Sequence, residues 1–454
     1  MTLSGKIVFV LIFAIAVFSV IAYGGVHQPV VAFVYILIAL LAILWAVDGL
    51  ASGEFRYSTS LLQVPVLGAA IYGLIQIIPF GSIAEVAGVA DIPRTISIDP
   101  FATRVSSLHL FGLFIFFAIA LTVFTTAARL RKMAAAMTIF GFVYAFFAIL
   151  QSVLSPDLIY GIYDAGLAEP FGSFVNRNNF AAIMEMTIPI PLGLLFVGAI
   201  AKDKRLLYIT AIALMGVALV LSGSRGGLVA MFAQIVLLVL MTAEFKKGRA
   251  LAVKLALSVL LVGAIVGGSM FVGGESSLTR IAESGQTEDV TTNRGHIWSV
   301  TLRTIADSMP FGTGLGAYAV AYTRHDTYSG MERVEQAHND YLQVVSDAGV
   351  PGLLLGGLFL FLLVRLGRQA IQVENVYRRG VALGAFAGCF AILVHSIFDF
   401  VLHTTAVAVM FLMLIAILVA ALRRYEDDLV NPDSHRQKQR RRPSSSAPVA
   451  TFKR

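Results

Sequence analysis

The chain has 454 residues, 57% of them hydrophobic and only 13% charged, with a mean hydropathy of +0.82. Soluble globular chains carry about 25% charged residues, so this composition excludes an ordinary soluble protein. The formal net charge of +7 is not a nucleic-acid signal and no nucleic-acid partner is expected, because the last 26 residues, with seven Lys/Arg against Asp433, supply +6 of it.

Apolar runs of about 20 residues recur along the chain, and in lipid each must satisfy its own backbone groups, which demands helices. No two-residue alternation of the kind a β-barrel needs is visible. The expected fold is therefore an all-α polytopic membrane protein with about 12 transmembrane helices, near 6–22, 29–47, 61–80, 105–126, 133–154, 178–200, 206–221, 228–243, 250–272, 350–364, 380–402 and 404–422. The first run follows Lys6 and reads as a retained anchor, because many spans follow and no convincing small-residue cleavage site does. The single cysteine, Cys389, lies inside an apolar run, which excludes a disulfide within the chain and argues against a cysteine-based metal site. No internal repeat or inverted pair of halves is evident.

A cytoplasmic N-terminus puts 25 of the 34 Lys/Arg residues on the cytoplasmic side. The nine left outside are Arg94, Arg104, Arg177, Arg225, Arg280, Arg294, Arg303, Arg324 and Arg333, all arginine. The positive-inside rule thus predicts that both termini are cytoplasmic. An outer set without lysine suits anion recognition by planar guanidinium forks, the plainer reading being arginines that cap loops. The one large outer loop, 273–349, has ten acidic residues and five arginines, and helices are expected near 294–308 and 334–348. Its length predicts an ordered extracytoplasmic subdomain. Three regions result: N-terminal helices over 1–132, a membrane domain over 133–425 that includes the large loop, and a disordered basic tail over 426–454 held near the anionic inner leaflet.

Candidate chemistry gathers at the outer boundary. Asn176-Arg177-Asn178 opens the sixth span, where a cap needs one asparagine and a helix N-terminus favours anions. Glu185, two turns deeper, either positions an outer arginine or is a buried acid satisfied by neighbouring helices. Ser222-Gly223-Ser224-Arg225-Gly226-Gly227 joins two short spans, so its turn is expected to dip toward the membrane with Arg225 held by glycines. Asn293-Arg294-Gly295-His296-Ile297-Trp298 starts the loop's first helix, with Asn293 as its cap. His338 is expected on a helix, on one face with Leu342 and Val345, with Asn339 beside it, Gly349 after the last turn and Pro351 starting the next span. His395, Asp399 and His403 recur every four residues at the end of the eleventh span. They read as a structural network along one helix face, as a polar wall of an acceptor cavity, or as a metal site. Gly312-x-Gly314-x-Gly316 lacks the strand–turn–helix setting of a nucleotide loop.

His338-Asn339, nine residues, Gly349, two residues and Gly352 resemble the signature of O-antigen ligases. The segments Asn176-Arg177-Asn178 and Ser224-Arg225-Gly226-Gly227 are similar to recurrent stretches of the wider O-antigen ligase and polymerase superfamily, and the resemblance spans roughly 140–425. It implies a GT-C-type membrane glycosyltransferase of the bacterial inner membrane, with its active site on the periplasmic face. The implied donor is an undecaprenyl-diphosphate-linked glycan and the acceptor is lipid A-core or a growing glycan, with membrane lipids as the other partners and neither metal nor cofactor. On this resemblance Arg225 and Arg294, with Arg177, hold the donor diphosphate and His338 acts on the acceptor hydroxyl; Asn176, Asn178, Asn339 and Glu185 support them. The chemistry is self-consistent: diphosphate is a good leaving group, two guanidinium forks neutralise the charge it gains, and attack from the opposite face implies inversion. The favoured reading is a ligase joining polysaccharide to lipid A-core. A polymerase and a protein O-oligosaccharyltransferase share the chemistry. A polysaccharide or lipid transporter or flippase is the rival from another class, against which stands the crowding of charged candidates at the outer boundary rather than the midplane.

Overall fold

The computed structural model describes residues 2–83, 92–124, 126–166, 168–243, 294–327 and 333–423, with isolated residues between 252 and 263. The tail, most of the ninth expected span, Asn293 and the first part of the large loop lie outside the described residues. Within them the chain is an all-α multi-pass membrane protein whose only strands form two short hairpins, Ser82–Ile83 with Ile92–Pro93 and Leu158–Ile159 with Tyr163–Asp164.

Among the described residues, ten segments are long and apolar enough to cross a membrane. They are α1 (Leu3–Ile21), α2 (Gln28–Ser52), α4 (Pro100–Val123), α5 (Ala127–Leu154), the joined pair α6 (Arg177–Thr187) and α7 (Pro189–Phe196), α8 (Arg205–Leu221, with a preceding 3₁₀ turn), α9 (Arg225–Thr242), α13 (Asp340–Ile371), α14 (Val376–His395) and α15 (Thr405–Leu422). The expected third span is only the short α3 (Gln63–Gln76), and of the ninth the described residues, 252, 254–259 and 262–263, are helical and are labelled α10. Two further helices, α11 (Arg294–Ser308) and α12 (Tyr318–Tyr322), lie in the large loop. At 1.5 Å per residue α9 is about 27 Å long, close to the thickness of a hydrocarbon core.

Polar residues set the starts of these helices. The side chains of Asp99, Thr126, Asn176, Ser224, Asn339 and Asn375 each accept a hydrogen bond from a backbone N–H of the first turn, which satisfies donors that lipid could not. The centre of the bundle is α6–α7 and α15, buried nearly throughout, with α14 packed between them. Gly380, Gly384 and Gly388 form a stripe along α14 that lets its backbone approach α7. A Cβ at Gly384 would lie 2.3 Å from the Pro189 carbonyl oxygen.

α13 runs for 32 residues across one break, at Gly349, where φ is +57°. That break meets the loop before α12. A Cβ at Gly349 would lie 2.2 Å from Pro310 O and one at Gly312 would lie 2.5 Å from Asp347 O, so two glycines allow backbone to rest on backbone. Three hydrogen bonds close the joint, Val350 N to Pro310 O (2.8 Å), Thr313 N to Ser346 O (2.9 Å) and Gly314 N to Asp347 O (3.0 Å). The buried Gln76 amide ties α3 to the same joint by donating to Phe311 O and Asp347 O and accepting from Leu315 N.

Two expected boundaries are corrected. The helix expected over 334–348 starts at Asp340, because Asn339 caps it and leaves His338 outside. The eleventh span, expected to run to 402, stops at His395; a turn and a 3₁₀ segment, Val401–His403, follow because Ser396 and Asp399 are drawn into contacts with other segments.

Candidate active site

The N-terminal ends of α6, α9 and α13 and the C-terminal end of α14 meet at one end of the bundle, around the 396–403 connection. Asp399, buried in that connection, is the hub. Its Oδ1 takes His338 Nδ1 at 3.0 Å and the Phe400 N–H at 2.9 Å. Its Oδ2 accepts from Asn178 Nδ2 and faces Arg294 Nη2 at 3.5 Å. Burial alone would push the Asp399 carboxyl up, but the hydrogen bond from His338 and the charges of Arg294, His338 and His395 hold it below the usual carboxylate range.

His338 has a left-handed backbone, φ +48°, a conformation that costs a non-glycine residue roughly 1–3 kcal/mol and persists only where its neighbours impose it. The neighbours are explicit. Asn339 Oδ1 accepts from Tyr341 N and Leu342 N, both at 3.0 Å, and its Nδ2 donates to Ile397 O at 2.9 Å. The imidazole stands edge-on to Phe400, 4.9 Å between ring centroids, and its side chain keeps 32% exposure against 3% for Asp399. With Nδ1 turned to the carboxylate, Nε2 has no partner among the described residues. That is the arrangement in which a buried acid fixes the imidazole tautomer and leaves the other nitrogen to accept a proton.

A second imidazole–carboxylate contact runs the opposite way between the same segments. Asp340 Oδ1 meets His403 Nδ1 at 2.6 Å, Asp340 Oδ2 accepts from Ser396 Oγ (2.7 Å) and Leu402 N (3.2 Å), and Asp340 N donates to Ser396 O (2.9 Å). Burial disfavours the charged His403 ring, yet the hydrogen bond to Asp340 and the nearby Asp347 carry its pKa above the ordinary imidazole value. Residues 338–340 and 396–403 are thus held as one clasp.

The three candidate arginines differ in their engagements. Arg225 is the first residue of α9, exposed and without an acidic partner among the described residues. Arg294, the first residue of α11, is paired with Asp399. Arg177, the first residue of α6, pairs with the exposed carboxylate of Glu169, and a Cβ at Gly223 would lie 3.5 Å from its Nη1, which places Arg177 beside the turn that carries Arg225. Asn176 caps α6 by accepting from Asn178 N at 2.8 Å. One turn away from the hub, Glu185 of α6 and His395 of α14 form a sealed pair, Oε1 to Nδ1 2.7 Å, with side chains 0% and 1% exposed.

Residues 210–356 match the family model described as O-antigen ligase. Over this stretch, about a third of the chain, the sequence is similar to the O-antigen ligase family. A comparison with curated proteins finds no match. The matched stretch holds Arg225, Arg294 and His338; Arg177, Asn178, Glu185 and Asp399 lie outside it and are brought to it by the fold.

Against this geometry two expectations for the candidate site change. His338 is not on a helical face with Leu342 and Val345 but precedes the helix. Of the two readings of Glu185, the buried acid satisfied by a neighbouring helix is the one found, since its partner is His395 of α14. His395, Asp399 and His403 do not line one helix face, since the helix ends at His395, and they face Glu185, His338 and Asp340 respectively. Among the described residues no group of three His, Cys, Asp or Glu side chains is placed to hold a metal ion. The hub role of Asp399 escaped sequence reasoning. The signals were an acid inside an apolar run and its four-residue spacing from His395 and His403, and neither points to its partner, which lies 61 residues earlier.

Proposed function

We propose that the protein transfers a glycan from undecaprenyl diphosphate to an acceptor hydroxyl at the extracytoplasmic face of the bacterial inner membrane, as an O-antigen ligase joining polysaccharide to lipid A-core. The observation that carries this reading is the His338–Asp399–Arg294 cluster: a base with one nitrogen fixed by a buried acid and the other open, next to a guanidinium, with His338 and Arg294 both in the stretch that matches the O-antigen ligase model. The charge asymmetry of the loops supports the outward orientation.

In the proposed step the acceptor O–H proton moves to His338 Nε2 as the oxygen attacks the anomeric carbon. The bond from that carbon to the diphosphate oxygen breaks and its electron pair leaves with the diphosphate. Arg225, with no acidic partner among the described residues, and Arg294 receive that charge by bidentate contacts, the part a divalent cation plays elsewhere, so no protonating acid is required. Arg177 flanks them from across Gly223. Displacement from the face opposite the leaving group inverts the anomeric centre. Asp399 keeps the His338 tautomer and stabilises the imidazolium that forms, while Asn178 and Asn339 hold these two side chains in place.

The test is transfer by purified protein from polyprenyl-diphosphate-linked glycan to lipid A-core, with the anomeric configuration of the product determined. An inverted linkage that forms in EDTA is the expected result. Retained configuration, or activity abolished by EDTA and restored by Mg²⁺, overturns the mechanism. Elongation of the glycan on its lipid without transfer to lipid A-core replaces the ligase reading with a polymerase.

A further inference from the structure

The Glu185–His395 pair is used by none of these steps, yet it is expensive. Both side chains are sealed in the bundle, and the outer atoms of the pair, Glu185 Oε2 and His395 Nε2, are buried without a hydrogen-bond partner among the described residues. Each such atom carries a desolvation penalty, and apolar side chains of similar volume would fill the same space without it. Packing alone does not account for the pair.

The pair is the surface on which the first turn of α9 rests. A Cβ on Gly226 would fall 2.8 Å from His395 Cδ2 and 3.0 Å from its Nε2. A Cβ on Gly227 would fall 2.7 Å from Ala181 Cβ and 3.2 Å from Glu185 Oε1. Gly226 is therefore needed because His395 lies directly beneath it, and Gly227 because Ala181 does, with Glu185 alongside. Glu185 shares α6 with Asn178, seven residues or about two turns away, so one helix fixes both the Asp399 corner and the support of the Arg225 turn.

We propose that Glu185 and His395 are positioning residues for the donor: together they set the backbone of the Ser224–Gly227 turn, and hence the place of Arg225, relative to Asp399 and Arg294. This rests on the reading of Arg225 as a ligand of the donor diphosphate. The ligand class served by the pair is a lipid-linked diphosphate, and the acceptor hydroxyl is not part of its task. A pair joined internally also brings no uncompensated negative charge beneath a diphosphate, whereas a lone Glu185 carboxylate would repel the donor.

The experiment is steady-state transfer with each substrate varied in turn, on full-length protein shown to be folded by its thermal transition. Glu185→Ala and His395→Ala are expected to raise the donor KM by about tenfold or more, with kcat within about threefold and the acceptor KM unchanged. Glu185→Gln, whose amide oxygen still accepts from His395 Nδ1, is expected to bring the donor KM back to within about threefold of the parent. Gly226→Ala leaves the pair chemically intact, presses a methyl on the imidazole, and is expected to show the same donor-specific rise even if the alanine variants of the pair do not fold. A parent-like donor KM in folded Glu185→Ala or Gly226→Ala overturns the proposal, as does an equal loss for both substrates. A parent protein that does not transfer from the lipid-linked donor refutes the ligase reading instead, so the two failures are distinct.

Discussion

His338 with Asp399 and His395 with Glu185 are both imidazole–carboxylate pairs joined through Nδ1, at 3.0 Å and 2.7 Å, yet their surroundings assign them opposite work. In the first pair the acid is buried and the ring is open on its far side. In the second both members are sealed and the far nitrogen abuts a glycine. The pairing itself therefore does not identify a base; access to the second ring nitrogen does.

The sharpest way to break this comparison is to remove the open ring. His338→Ala should lower single-turnover transfer by about 10² to 10⁴ while donor binding persists, because general-base catalysis typically contributes that factor. If donor affinity falls along with turnover, His338 is a ligand of the diphosphate and the contrast drawn between the pairs is wrong. Removing the partner's charge comes next: Asp399→Asn should cost on the order of 10²-fold or more in kcat, since the amide can hold His338 in the wrong tautomer and cannot stabilise the imidazolium. Parent-like kcat in that variant would demote Asp399 to a packing role.

A smaller effect is expected at Arg225. Arg225→Ala should raise the donor KM by roughly 10- to 100-fold, the equivalent of one charged hydrogen-bonded contact, and Arg225→Lys should recover little of it because a point charge does not reproduce the fork. Full recovery by lysine would reduce the site to simple charge attraction.

The smallest effect belongs to the clasp. His403 has its pKa raised in the folded protein, so its contact with Asp340 stabilises fully below the ordinary imidazole value and is lost as pH rises through the raised one. Asp340 and Asp347 hold the charge on His403, and His109 lies close enough to feel it. Thermal unfolding of the parent and His403→Gln from acid to mildly alkaline pH should therefore show a gap that narrows with increasing pH. A gap that widens toward high pH would reverse the sign assigned to this contact.

Much of the bundle was legible in the sequence because hydropathy and capping act locally. The helix expected over 294–308 is α11, and Asn176 and Gly349 stand where a cap and a helix break were expected. The 396–403 connection was not legible. Phe398, Phe400, Val401 and Leu402 keep the run apolar, so periodicity extends the helix through it. What ends the helix is tertiary: Ser396 and Asp399 find partners at Asp340 and His338, and local polar side chains that bond elsewhere compete with helix continuation. The same holds for the candidate site. Arg225, Arg294 and His338 could be singled out from residue type and loop position, whereas Asp399 gains its place only once α6, α11 and α13 deliver Asn178, Arg294 and His338 to it.

The glycine joint between the 310–314 loop and the break in α13 bears on how this sequence can vary. At Gly312 and Gly349 the atoms in the way of any side chain are backbone, which no rotamer change can move aside. Every amino acid other than glycine carries a Cβ, so neither position has a tolerated neighbour in sequence space, and a saturation scan should find both as restricted as His338. The penalty would be read differently: variants at the joint vanish from the membrane because the chain is discarded, while variants at His338 remain there at full abundance, inert. A glycine in the recognition signature thus marks a dimension of the scaffold, and only a scan that scores abundance and activity separately would tell it from a group that reacts.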